Sequence, residues 1–339
     1  MTAETKRAAI STVLVVGCGS IARRHVANLR KLGVKRVLVF DPDLSRVEHL
    51  RRKLDCEPVD SLQAGLDALP GAALICTPPS LHANAALAAI ARGTPCFIEK
   101  PLAHTVAAAE RVRRAAARWR VPVVVGYQLR FHPAIAWIRR GLKKSRWGPI
   151  QYIRAQIGQY LPDWRPWQDY RKSYTSRKSL GGGILLDASH EIDLTMHFAG
   201  PAKSVFCAAD RLSALQIDVE DTAELTLRFH NGAMGSVHLD MIRRTYDRSC
   251  QLLCRDGVVE WSYQDGTVRE YRVRSEKWTT HTFTKDGNAM YLAEMKAFLA
   301  MARRVSVAGT AGPEEGAAAL RIVEAAKHSA RTGRTHTLR

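Results

Sequence analysis

Four groups of residues in this chain have types and spacings that can do chemistry. The first is the stretch CFIEKPLA, Cys96 to Ala103, where an apolar run ends on Glu99 and Lys100 before Pro101 stiffens the backbone. A lysine at the end of a buried strand is costly unless it is paired or used. In a partly dry pocket it has a depressed pKa and exchanges protons near neutrality. The plainer reading is an acid–base pair that only ends the strand. The second group is LLDASHEIDL, Leu185 to Leu194, where Asp187, His190 and Asp193 recur every third residue. At the start of a helix that spacing puts all three on one face. Two acids beside a histidine fix its tautomer and raise its basicity. His190 is then a candidate base for a hydroxyl proton, with Lys100 sharing the role. Either Asp187 or Asp193 can orient the ring, and a capping cluster at the helix start is the alternative.

The third group is VVGCGSIA, Val15 to Ala22, which fits G-x-G-x-x-A between an apolar strand and a helix. Gly17 permits the tight turn, and Gly19 lets a pyrophosphate approach the backbone. Ala22 lets helix and strand pack closely. Ser20 and Ile21 open a helix whose free N–H groups and positive dipole end suit phosphates. Asp41, ending the next strand, is placed to hold a ribose 2′-hydroxyl. Its carboxylate repels a 2′-phosphate, so NAD is favoured over NADP, although Arg46 offers a phosphate an alternative partner. The fourth group is the segment from Gln159 to Gly183. It mixes Tyr160, Trp164, Trp167, Tyr170 and Tyr174 with Arg165, Arg171, Lys172, Arg177 and Lys178. Aromatic faces stack on sugar rings and arginine forks grip phosphate or carboxylate. Trp164, Arg165, Tyr170 and Arg171 are the candidate substrate contacts, for an anionic sugar such as a sugar phosphate, a nucleotide sugar or an acidic sugar. Aromatics packing on their own domain is the alternative.

The elements that must position these groups follow from periodicity. Strands at Thr12–Val16, Val37–Phe40, Ala72–Cys76, Pro95–Ile98 and Val121–Val125 alternate with helices of about a dozen residues. Ser80 is read as the cap of the helix after Thr77-Pro78-Pro79. The pattern predicts a doubly wound parallel sheet over residues 1–126, with ligands off the carboxyl ends of its strands. Those ends bring Thr77, Pro78 and Glu99 to the cofactor, with His82 opening the following helix. Residues 127–339 change character. Alternating runs such as AELTLRFH and TVREYRVR are separated by Asn231-Gly232, Asp256-Gly257 and Asp265-Gly266. They predict an α+β domain with a large, mostly antiparallel sheet, followed by helices near Ala289–Arg304 and Pro313–Ser329. The fold class is therefore α/β with two domains.

The bulk numbers limit the function classes. Lys and Arg exceed Asp and Glu by 51 to 32, giving a net charge of +19. That suits an anionic ligand or a solvated basic surface. The basic runs at Arg111–Arg120 and Ile138–Trp147 have helical apolar spacing and no nucleic-acid motif, so no nucleic-acid partner is expected. No apolar run is long enough for a membrane span. Lys6 and Arg7 precede an apolar stretch that runs straight into the glycine turn, so it is read as a strand and not a secretory signal. Seven scattered cysteines, with only Cys250 and Cys254 close together, indicate free thiols in the cytoplasm and no metal site.

VGCGSIARRH, CTPPSLHANAALAAIARGTPCFIEKPLA, VGYQLRFHP and GGGILLDASHEIDL, in this order, resemble the glucose–fructose oxidoreductase / inositol dehydrogenase / MocA family over nearly the whole chain. The resemblance implies a Rossmann domain, NAD(P)-dependent oxidation or reduction of a sugar or cyclitol hydroxyl, and an open sheet that joins copies into a dimer or tetramer. It also implies that Lys100 contacts the reacting region, and that the turn carrying Gln128 and Arg130 reaches cofactor or substrate. A dinucleotide-sensing regulatory or scaffold protein without turnover is the competing reading, and it does not require Lys100 with His190.

Overall fold

The structure is a computed structural model and describes residues 9–338. Lys6 and Arg7 lie outside the described residues, and the stretch after them is the first strand. The chain divides into two compact units. One comprises the chain through Ala103, Ala107–Gly126 and Tyr291–Glu314; the other comprises His104–Val106, Tyr127–Met290 and everything from Glu315 on. The sequence division at 126/127 thus differs in two places: His104–Val106 belongs with the second unit, and Tyr291–Glu314 with the first. Met295 and Phe298 are fully buried there in one cluster with Val26, Leu29 and Phe97. Ala311 forms a bridge to Val125 on the same sheet.

In the first unit the elements run β1 (Thr12–Val16), α1 (Ser20–Lys31), β2 (Arg36–Phe40), α2 (Leu44–Lys53), β3 (Glu57–Pro58), α3 (Leu62–Asp67), β4 (Ala72–Ile75), α4 (Pro79–Ala91), β5 (Cys96–Glu99), α5 (Val106–Trp119) and β6 (Val123–Gly126). The six strands are all parallel, in the order β3-β2-β1-β4-β5-β6. Each of β4, β5 and β6 is buried at every position, which is why these runs lack the alternation of a half-exposed strand. The strand order reverses between β1 and β4, so their carboxyl ends flank the crevice where such sheets bind ligands. Ser80 does not cap α4, because the helix starts one residue earlier, at Pro79, after Pro78 in the cap position. A proline at the first helical position already has the required φ and loses no needed N–H.

The second unit adds α6 (Pro133–Lys143), β7 (Ile150–Gly158), α7 (Leu161–Trp164), α8 (Ile184–Asp187), α9 (Ser189–Ala199), β8 (Ala202–Asp210), β9 (Thr222–Phe229), β10 (Met234–Asp240), β11 (Asp247–Cys254), β12 (Gly257–Ser262), β13 (Thr267–Arg272) and β14 (Lys277–Thr282). Then come α10 (Ala289–Ala302), which lies almost wholly in the first unit, α11 (Pro313–Thr332) and β15 (His336–Thr337). Nine strands form one sheet, β14-β13-β12-β11-β7-β10-β9-β8-β15, and only the β7–β10 pair is parallel. Its two faces separate by parity. The row Val205–Leu227–Gly235–Ile153–Leu252–Val259 is buried. The next row, Phe206–Thr226–Ser236–Arg154–Gln251–Glu260–Arg269–Thr280, has no buried member. Helix α9 packs against β7 and β10. Among the described residues no helix is long and apolar enough to cross a membrane.

Candidate active site

In the first unit the glycine turn takes the shape its residues predict. Gly17 has φ +91, and a Cβ there would stand 2.8 Å from the backbone carbonyl of Cys76. Only glycine fits, because the obstacle is main chain and the φ is left-handed. At Gly19 a Cβ would meet nothing within 4 Å, and no side chain caps the first N–H groups of α1. Asp41 is 6% exposed at the end of β2. Its carboxylate accepts from Cys18 N at 2.8 Å and from Asp43 N at 2.9 Å, which fixes it beside the turn. Arg46, the alternative phosphate partner, is tied to Asp43 at 3.1 Å. Burial, with Asp41 adding to it, pushes the Cys18 thiol up to about 12, so it stays protonated and inert. Thr77 Oγ1 is buried without a hydrogen-bond partner among the described residues. An uncapped helix start, an open cradle at Gly19 and a buried unsatisfied hydroxyl off β4 fit a dinucleotide.

Gly17→Ala places a methyl against the Cys76 carbonyl and forces alanine into φ +91, a conformation costing about 1–3 kcal/mol. The expected result is an NAD dissociation constant raised at least about tenfold, measured by titrating the protein with NADH. Asp41→Ser removes the carboxylate expected to repel a 2′-phosphate. The ratio of KM for NADP to KM for NAD should fall by about tenfold or more, the size of one close charge interaction near a surface.

The strand that carries Lys100 ends in a dense polar arrangement. Glu99, expected to meet the cofactor, bonds instead to His25 Nε2 at 2.6 Å. His82 lies between two carbonyls, Pro101 O and Thr77 O, each 2.8 Å from a ring nitrogen. Burial lowers its pKa against those two carbonyls and Glu99, which favour the charged ring. A neutral ring donates from one nitrogen only, so one carbonyl receives the N–H. His82 thus spans the loops after β4 and β5. Lys100 is half-buried, and its peptide bond to Pro101 is cis.

In the second unit His190 sits on the first turn of α9, 5% exposed, with its ring edge-on to Tyr127 at 5.6 Å. The helix under it is clamped by two buried ion pairs. Glu191 bonds Arg248 at 2.7 Å, and Asp193 receives the Arg130 fork at 2.6 and 2.8 Å. This revises three expectations. Asp193 pairs with Arg130 and does not cap the turn. Arg130, expected at the substrate, spends Nε and one terminal nitrogen on Asp193. Asp187 does not share a helix face with His190, because it ends the separate turn α8 and Ala188, at φ −93 and ψ 26, interrupts the helix. Its carboxylate accepts from Tyr174 Oη at 2.9 Å and Thr175 Oγ1 at 2.5 Å. Gln128 is buried on the short turn Gln128–Phe131.

The aromatic–basic segment folds into short helical turns. Leu161, Trp164, Arg165, Gln168, Tyr170, Ser173 and Thr175 line a hollow within it. Trp164 donates to Gln159 O at 2.9 Å, which fixes the indole. Arg171, expected to grip substrate, turns its fork onto Asp169 at 2.9 and 3.0 Å and is exposed. Sequence reading missed His25, Arg248 and Thr175. His25 stood inside the motif VGCGSIARRH, one turn past the glycines, and that position was the available signal.

A six-stranded parallel sheet with an open glycine turn defines a dinucleotide-binding protein, and the similarities to known proteins agree. Residues 11–127 match the oxidoreductase family with an NAD-binding Rossmann fold, and residues 135–260 match the GFO/IDH/MocA C-terminal domain. The chain belongs to the GFO/IDH/MocA family of NAD-dependent oxidoreductases. It is 25% identical over 323 residues to UDP-N-acetylglucosamine 3-dehydrogenase of Acidithiobacillus ferrooxidans, covering 91% of this chain and 95% of that protein. It is 27% identical to inositol 2-dehydrogenase 2 of Saccharopolyspora erythraea, covering 95% and 93%. Among solved structures, a levoglucosan dehydrogenase complex with NADH superposes with a TM-score of 0.85 at 20% identity, over 97% of this chain and 99% of that one. The WlbA dehydrogenase of Bordetella pertussis, solved with NADH and UDP-GlcNAcA, gives 0.82 at 22% identity over 97% of each chain. At these identities the solved structures establish the fold.

Proposed function

We propose that this chain interconverts a secondary alcohol and a ketone on an anionic sugar, with Lys100 and His190 as its working groups. The class, an NAD-dependent dehydrogenase of CH–OH groups on sugars or cyclitols, follows from the family. When bound, NAD supplies the hydride acceptor, or NADH the donor. Gly17, Gly19, Ser20, Ile21 and Asp41 would hold it, with Thr77 and Pro78 off β4. His190 accepts the hydroxyl proton during oxidation, and Lys100 hydrogen-bonds the reacting oxygen and shares that proton. Asp187 keeps the segment containing Tyr174 and Thr175 anchored near the start of α9.

The anionic preference rests on one observation: Arg165 is grouped with Trp164 and Tyr170 around a small hollow, too narrow to hold a sugar itself. A fork beside two aromatic faces suits a charged sugar derivative. The relative named for UDP-N-acetylglucosamine supports this reading, and the inositol and levoglucosan dehydrogenases define its competitor. The test compares kcat/KM for UDP-linked and phosphorylated sugars with that for myo-inositol and levoglucosan. An anionic substrate should lead by at least about tenfold, and Arg165→Ala should raise its KM by about tenfold or more with kcat little changed, the value of one charge-assisted hydrogen bond. Equal use of neutral sugars would refute the preference.

Two smaller readings go with it. Seven buried free thiols support a cytoplasmic enzyme. The uncovered row of the nine-stranded sheet, with Phe206 41% exposed, supports self-association into a dimer or tetramer. Light scattering of the full chain checks the second.

A further inference from the structure

The reading of Lys100 leaves a buried histidine in the same unit without a task. His25 is 0% exposed on the second turn of α1, and its Nε2 donates to Glu99 Oε1 at 2.6 Å, across 74 positions of sequence. Glu99 is the residue immediately before Lys100 and the last of β5. We propose that His25 is a positioning residue that sets Lys100 through Glu99.

The geometry leaves the Glu99 carboxylate little freedom. One oxygen is held by His25. The other stands beside Gly126, where a Cβ would approach Oε2 to 3.3 Å and the Phe97 ring to 3.0 Å. The His25 ring is itself fixed, edge-on to Phe97 at 5.1 Å and to Tyr291 at 6.2 Å. Beyond Lys100, a ring nitrogen of His82 lies 2.8 Å from the Pro101 carbonyl. A buried histidine therefore stands against each neighbour of Lys100, His25 against the Glu99 side chain and His82 against the Pro101 backbone. Stability alone gives no reason for the His25–Glu99 pair. Burying a pair that carries charge costs desolvation, and an apolar pair of similar volume is commonly as stable. What an apolar pair cannot do is fix a carboxylate, and so a strand end, to one helix. That helix is α1, whose first turn faces the dinucleotide pyrophosphate in the reading above, so the hydrogen bond ties the lysine to the element that seats the cofactor.

This inference rests on the proposed role of Lys100, and a double-mutant cycle separates the two. His25→Leu should lower kcat by about 10- to 100-fold, the cost of a misplaced reacting group. His25→Gln, whose amide nitrogen reaches where Nε2 does, should recover most of that loss. In a Lys100→Met background His25→Leu should cost nothing further. Glu99→Met keeps the side-chain length, removes the acceptor and runs the same cycle if the leucine variant does not fold. Losses that multiply with Lys100→Met, or a glutamine variant no better than leucine, overturn the positioning role. Unchanged kcat in Lys100→Met alone refutes the lysine reading and this inference with it. If Lys100→Met leaves no measurable rate, the glutamine rescue decides.

Discussion

Lys100→Met should lower kcat by about a thousandfold while NADH still binds, because it removes the group proposed to share the substrate proton and leaves the glycine turn intact. Methionine is close to lysine in length and apolar, and the backbone around it keeps its ties. Glu99 remains on His25, and Pro101 O remains on His82. The loss should therefore appear in kcat and not in the thermal midpoint. It should also appear with every substrate, since the proposal places the amine at the reacting oxygen and not at a specificity contact. An enzyme that loses NADH affinity to the same degree as kcat would place Lys100 in cofactor binding alone.

His190→Asn should cost about a hundredfold to a thousandfold in kcat on the proposed reading, because asparagine cannot take up the hydroxyl proton. The fold should survive the change. Helix α9 is anchored by Glu191 to Arg248 and by Asp193 to Arg130, both pairs buried and neither involving residue 190. Steady-state rates check this, and an unchanged kcat would assign the proton to another group.

The parts of this protein that were legible in the sequence are those governed by neighbours along the chain. The glycine turn follows from Gly17 and Gly19 standing between an apolar strand and a helix, and Asp41 follows from the end of the next strand. Strand parity in the large sheet follows from alternation, although β8 and β14 gave no clear signal. Ala-rich polar spacing marks the first, and β14, Lys277–Thr282, has almost no buried side to alternate with. The partners of the polar groups were not legible. His25 meets Glu99 across 74 positions, Arg130 meets Asp193 across 63, and Arg248 meets Glu191 across 57. No local rule specifies such pairs. Spacing also misled once: Asp187, His190 and Asp193 have a helical interval, but Ala188 breaks the helix between the first two. The return of Tyr291–Glu314 to the first unit was hidden for a related reason. An apolar helix records that it is buried, not where.

The most direct test of the account is NADH formation, followed by absorbance, when the chain is mixed with NAD and a panel of UDP-linked sugars, sugar phosphates, acidic sugars and inositols. The account predicts reduction with at least one of them, lost in both Lys100→Met and His190→Asn while both variants still bind NADH. Reduction that persists undiminished in either variant, or a chain that binds NADH and oxidises none of them, would contradict it.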